Sequence, residues 1–112
     1  MAQYGYKNGL TVTSLNAVAV AGNGDEFALP AIGLEYPDKF TWQIITTGPP
    51  TSVQVDLQGS IDNSNWFSVD SSVNVSGELR HVVNKAVKFL RVKLVSIAGG
   101  GTVTAQFFVA KP

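Results

Sequence analysis

The chain predicts a single antiparallel β-sandwich, jelly-roll or immunoglobulin-like, of about seven to eight strands. Three observations carry that prediction. Apolar and polar residues alternate with a period of two along several segments, as they do in half-buried strands. The segments are short and are separated by turns rich in Gly, Pro, Asn and Ser. No stretch offers a credible helix, because β-branched and aromatic residues dominate the longest apolar run. The 112 residues suit one domain, and a hydrophobic content of 45% supplies a core.

Residues 1–9 form an N-terminal arm outside the sandwich, which takes up residues 10–112. The arm carries Tyr4 and Tyr6, and tyrosine is favoured in protein interfaces. Leu10 to Ala21 reads as one long strand or two short ones, with Leu10, Val12, Val18 and Val20 facing inward. Ser14 and Asn16 interrupt the pattern and predict a bend or bulge. Gly22 to Asp25 contains an Asn-Gly pair and predicts a hairpin turn. Glu26 to Leu29 follows as a short strand. Pro30, Gly33 and Pro37 then punctuate a loop that carries Tyr36. In Asp38 to Thr47, Phe40, Trp42 and Ile44 point one way, and Trp42 is expected between the two sheets.

The stretch from Val53 to Asp70 is a β-hairpin at the centre of the chain. Val53, Val55 and Leu57 alternate with Gln54, Asp56 and Gln58; a polar turn follows, and Trp66, Phe67 and Val69 open the return strand. Trp66 is expected as a core anchor. The Ser- and Asn-rich segment after Val69 is a loop or a short edge strand, and Arg80 to Val83 a further short strand. Ala86 to Ile97 is the strongest strand, with Leu90, Val92 and Leu94 inward and Lys88, Arg91 and Lys93 outward. A triglycine turn leads to Thr102–Ala110, where Val103, Ala105, Phe107 and Val109 share one face.

Composition narrows the function. Eight basic residues balance eight acidic ones, and only 14% of residues are charged. That argues against a phosphate-binding surface, so neither nucleic acid nor membrane is an expected partner. No cysteine is present, which removes disulfides and thiolate metal sites. The opening residues have neither a basic n-region nor an apolar h-region, and the expectation is a protein made in a cytoplasm and left unprocessed. No apolar run reaches the ~18 residues that cross a bilayer. A β-rich surface with few charges leaves sheet edges without their usual lysine guards, and suits burial against other subunits.

No catalytic constellation emerges. There is no G-x-S-x-G elbow, and His81, the one histidine, has no evident nucleophile partner. His81 lacks further ligands at metal spacing and reads as a surface histidine. Asp56, Asp62 and Asp70 invite a paired-carboxylate reading, but they read better as a strand alternate, a turn residue and a strand end. The Asp62–Asn65 turn lacks the acidic spacing of a calcium loop. The expectation is a non-enzyme without cofactor or metal.

Residues 38–110 resemble a family of small virion proteins of tailed bacteriophages and prophages. The residues that carry the resemblance are Thr47-Gly48 with Pro50, the alternating Val53, Val55 and Leu57, then Gly59-Ser60, Asp62 and Asn65-Trp66. Phe89-Leu90-Arg91-Val92 and Gly99-Gly100-Gly101 complete the pattern. Its most specific part is G-S-x-D-x-x-N-W. The resemblance implies a capsid decoration or cement protein on the virion exterior, binding the major capsid protein and often trimeric, or else a tail-associated protein. The same hairpin and F-L-R-V strand also resemble discoidin-like and other carbohydrate-binding jelly rolls, whose loops bind sugars through exposed aromatics. The partner contacts expected under the first reading are Tyr4, Tyr6, Tyr36, Asp62, Asn63 and Asn65, with Trp66 the residue to inspect for exposure.

Overall fold

The computed structural model describes residues 10–29 and 36–109, which form nine strands and no helix. Strands β1 (Leu10–Val18), β9 (Thr102–Val109), β4 (Lys39–Thr47) and β7 (Glu78–Val83) make one antiparallel sheet in that spatial order. The second sheet runs β2 (Gly22–Asn23), β8 (Phe89–Ala98), β5 (Ser52–Ser60) and β6 (Phe67–Ser72), with β3 (Phe27–Ala28) also on β8. β2 and β3 are two pieces of one interrupted edge strand. Counted so, the first strand lies beside the last and consecutive strands mostly alternate between sheets. That is the order of a jelly roll, and it decides the topology that alternation alone left open.

The four strongest patterns fold as their periodicity demands. Along β5 and β9, and on β4 as far as Ile44 and β8 as far as Leu94, every second residue is buried, and Trp42, Val55, Leu57, Leu90, Val92, Leu94, Val103, Ala105 and Phe107 are wholly enclosed between the sheets. Trp42 holds the central place expected of it.

β1 departs from the sequence reading. Its pairing with β9 shifts register between Thr13 and Leu15 and again between Leu15 and Val18, so the bulge foreseen at Ser14 and Asn16 is present. The shift turns Leu15 into the core, and the strand ends at Val18, leaving Val20 72% exposed rather than inward.

The same bulge explains the interrupted edge. Buried Ser14 donates from Oγ to the Asp25 carbonyl (2.8 Å) and accepts from the Val92 N–H (2.9 Å), which the gap between β2 and β3 leaves without a strand partner. One hydroxyl thus ties the two sheets together. Gly22 to Asp25 is accordingly no hairpin turn. Gly22 and Asn23 pair with Leu94 and Lys93, and neither Asn23 nor Gly24 has positive φ. Gly24 is required for a different reason: a Cβ there would overlap the carbonyls of Ser14 and Val92.

Candidate functional site

The central turn is built from its own side chains. Ser60 ends β5 and is buried; its Oγ accepts from the backbone N–H of Asn63 (2.9 Å) and Asp62 (3.2 Å), and donates to Asp62 Oδ1 (3.0 Å). Asp62 Oδ1 accepts from the N–H of Asn65 (2.8 Å) and Ser64 (2.9 Å), while its Oδ2 accepts from Asn65 Nδ2 (2.7 Å). These backbone bonds, first from Asn65 and then from Ser64, hold the Asp62 carboxyl well below the ordinary carboxylate range. Asn63 occupies left-handed backbone (φ 61°) and donates from Nδ2 to Glu26 Oε1 at 3.1 Å, fastening the turn to the segment before β3.

The sequence motif now has a physical meaning. Gly59 lets Val87 pack on the backbone, Ser60, Asp62 and Asn65 saturate the turn, and Trp66 follows it. Asp62 and Asn65, expected as partner contacts, spend their polar atoms inside the turn. Trp66 is not the core anchor it resembles. It is half-buried outside the strand, with the Arg91 guanidinium carbon 4.1 Å from its ring centroid. Arg91 is itself positioned by Nε donation to Gln58 Oε1 (2.8 Å).

Beside its polar groups the turn displays apolar ones. Ile61 and Phe67 are 69% and 71% exposed. With Gly59, Val69 and Val87, and with Ser60, Asp62 and Asn65 of the turn itself, they line a depression of about 370 Å³. An adjoining hollow of about 200 Å³ shares Ile61 and Val87 and adds Tyr36, Ala86 and Lys88. Tyr36 is half-buried and packs against the core from this side. Of the expected contacts, Tyr36, Asp62 and Asn65 line these hollows, and the structure adds Ile61, Phe67 and Val87 beside them. Exposed hydrophobes at the ends of strands carry the same sequence signal as core residues, so alternation alone did not find them. Tyr4 and Tyr6, and most of the Pro30–Pro37 loop, lie outside the described residues.

A second polar cluster closes one side of the sandwich. Asp70, facing inward at the edge of β6, accepts from Trp42 Nε1 at Oδ2 (2.8 Å). Arg80 on β7 donates to both of its oxygens, Nε at 2.8 Å and a terminal nitrogen at 3.1 Å, and also reaches Glu78 at 3.3 Å. Burial pushes the Asp70 carboxyl up, but the hydrogen bonds from Arg80, Trp42 and the Ser71 backbone outweigh it and leave the group below its usual value. The Ser72 hydroxyl donates to Glu78, and the cluster ties β6 of one sheet to β4 and β7 of the other. His81 is exposed, with Nδ1 3.0 Å from the Thr41 hydroxyl. Among the described residues no three His, Asp or Glu side chains gather as a metal site.

No protein-family model matches the sequence, and no curated protein sequence matches it. Solved structures share the fold. SPBc2 prophage-derived protein YomS matches with a TM-score of 0.64 at 17% identity, over 90% of this chain and 93% of that one. PirA matches with a TM-score of 0.54 at 15% identity, over 96% of each chain. The chain is a jelly-roll β-sandwich whose fold is shared, along nearly its whole length, with a prophage-derived protein.

Proposed function

We propose that this chain is a structural virion protein of a tailed phage or prophage, a decoration protein that binds the outer surface of the assembled head and bridges neighbouring capsomers. The observation that carries the reading is the apolar shelf of Ile61, Phe67, Val87 and Tyr36, displayed beside a turn whose polar groups are satisfied internally. A rigid apolar display of this kind suits a protein partner, because little ordering entropy is lost on docking. The G-S-x-D-x-x-N-W resemblance to phage virion proteins and the fold shared with YomS support the same class.

The proposed mechanism involves no reaction and no cofactor. A protein that binds only the assembled lattice shifts the assembly equilibrium towards it by mass action. Several copies joined as a homo-oligomer would hold neighbouring capsomers with added avidity. The major capsid protein is the proposed partner and the virion exterior the proposed location; neither nucleic acid nor membrane takes part.

Co-sedimentation with purified heads tests this. Saturable pelleting is expected, weakened roughly tenfold or more by Ile61→Asp or Phe67→Asp, since burying an unpaired carboxylate at an interface costs several kcal/mol. Failure to pellet with heads, together with recovery in tail fractions, would move the protein to the tail. A clean monomer that binds a glycan array would sink the decoration reading in favour of a carbohydrate-binding module.

A further inference from the structure

The outer face of the β1-β9-β4-β7 sheet is distinct from every other surface of the molecule. Its polar side chains are tied to one another across strands. Gln106 Nε2 donates to Thr13 Oγ1 (2.9 Å), and Gln43 Nε2 donates to Gln106 Oε1 (2.6 Å), so one row of the face is bonded across three strands. Thr47 and Thr102 bond hydroxyl to hydroxyl at the far end. Exposed apolar groups stand around these rows: Ile45 between them, Leu79 beside Gln43, and Phe108 and Val83 towards the other end. Leu79 and Phe108 flank a depression of about 210 Å³ whose floor is Thr41, Gln43 and Gln106. By strand alternation, the ionisable side chains on the face, among the described residues, are Lys39, at the start of β4 and 3.3 Å from Asp38, and His81 on β7, with Nδ1 3.0 Å from the Thr41 hydroxyl. The opposite sheet presents Asp56, Arg91 and Lys93 outward.

We infer that this neutral face is the surface on which a second copy of the chain packs, sheet against sheet. Charge selects the occupant. A partner carrying several charges would bury most of its ions against Thr, Gln and aliphatic groups that cannot pair them, at a cost of several kcal/mol per ion. A second copy brings the same sparsely charged face, with Lys39 already paired to Asp38 and the Thr and Gln groups already partnered. The contact of a face with itself is isologous and closes as a two-fold dimer. Four strands about 4.8 Å apart and about eight residues long at ~3.3 Å each give a footprint of roughly 500 Å² per copy. A total near 1,000 Å² falls at the small end of specific interfaces, so the dimer dissociates on dilution. This inference does not rest on head binding.

Sedimentation velocity over a range of concentrations tests it on the full chain. A reversible monomer–dimer equilibrium is expected, with Phe108→Lys raising the dissociation constant by roughly tenfold or more because two like charges then face each other. Leu79→Lys on the edge strand gives an independent reading should Phe108→Lys fail to fold, as judged by a cooperative melt. Gln54→Lys on the opposite sheet is expected to leave the equilibrium unchanged. A monomer at every concentration overturns the inference. So does a trimer, a dimer that survives both lysine variants, or a dimer weakened equally by Gln54→Lys. Loss of dimerisation with retained head binding, or the reverse, separates this interface from the proposed capsid contact.

Discussion

Asp62 and Asp70 sit on one hairpin, and both carboxyls are held below their ordinary range, but they do different work. Asp62 is fully exposed and bonds only within its own turn, to neighbours up to three residues away. Asp70 lies at the sheet edge and joins Trp42 and Arg80, residues of the facing sheet. The first shapes a loop that could melt without the fold; the second is part of the closure between layers. A lowered carboxyl pKa alone therefore does not indicate a site. Its partners tell whether it stabilises a local turn or the whole tertiary structure.

The comparison breaks most severely at its buried end. Trp42→Ala should cost ~3–5 kcal/mol and leave little folded protein, read as loss of the cooperative urea transition. Asp70→Ala comes next: it strands the Trp42 N–H inside the sandwich and frees Arg80, for an expected loss of about 2–3 kcal/mol in the same titration. Asp62→Ala should lower the melting temperature less than Asp70→Ala, and its signature should be proteolytic nicking confined to residues 61–66. An equal loss from both variants would erase the distinction.

Acid sharpens the contrast further. Both carboxyls have folded-state pKa values below their unfolded ones, so their stabilisation is present above pH ~4 and is lost as pH falls through the folded values. Stability should therefore drop as pH falls below about 4, and Asp62→Asn should flatten that slope in denaturant titrations at stepped pH. The smallest effect is expected at Arg91→Ala, which removes the cation from the Trp66 ring at ~0.5–1 kcal/mol and changes the Trp66 emission while Trp42 stays buried.

Much of the architecture was legible because alternation is a local consequence of burying one face. β5 and β9 show it throughout, β4 to Ile44 and β8 to Leu94, and they are the strands that meet in the middle of both sheets. Reading failed where one residue serves two sheets. The bulge at Ser14 was legible, but not that its buried hydroxyl accepts a hydrogen bond from the Val92 N–H across the sandwich. The Asn23-Gly24 pair carried the signal of a tight turn, although Gly24 is there for a close approach of carbonyls that only the assembled sheets create.

The candidate site divides in the same way. G-S-x-D-x-x-N-W marked the right turn, because Ser60, Asp62 and Asn65 act on residues within reach along the chain. Which side chains that turn shows to a partner depends on Val87 and Tyr36, which approach it from distant parts of the sequence. Trp66 and Trp42 illustrate the limit. Both are aromatic residues in strand-like surroundings, but Trp42 is enclosed by two sheets and Trp66 lies under an arginine on the outside.

By itself the sequence determined the all-β class, the inward faces of the central strands and the self-contained turn, since each follows from spacing and from side chains that bond their near neighbours. Only the tertiary structure decided the jelly-roll order, the Asp70 tie, the apolar shelf at Ile61 and Phe67 and the neutral outer face. Those depend on which strands lie side by side, and strand order is set by the combined packing of two sheets rather than by any one segment.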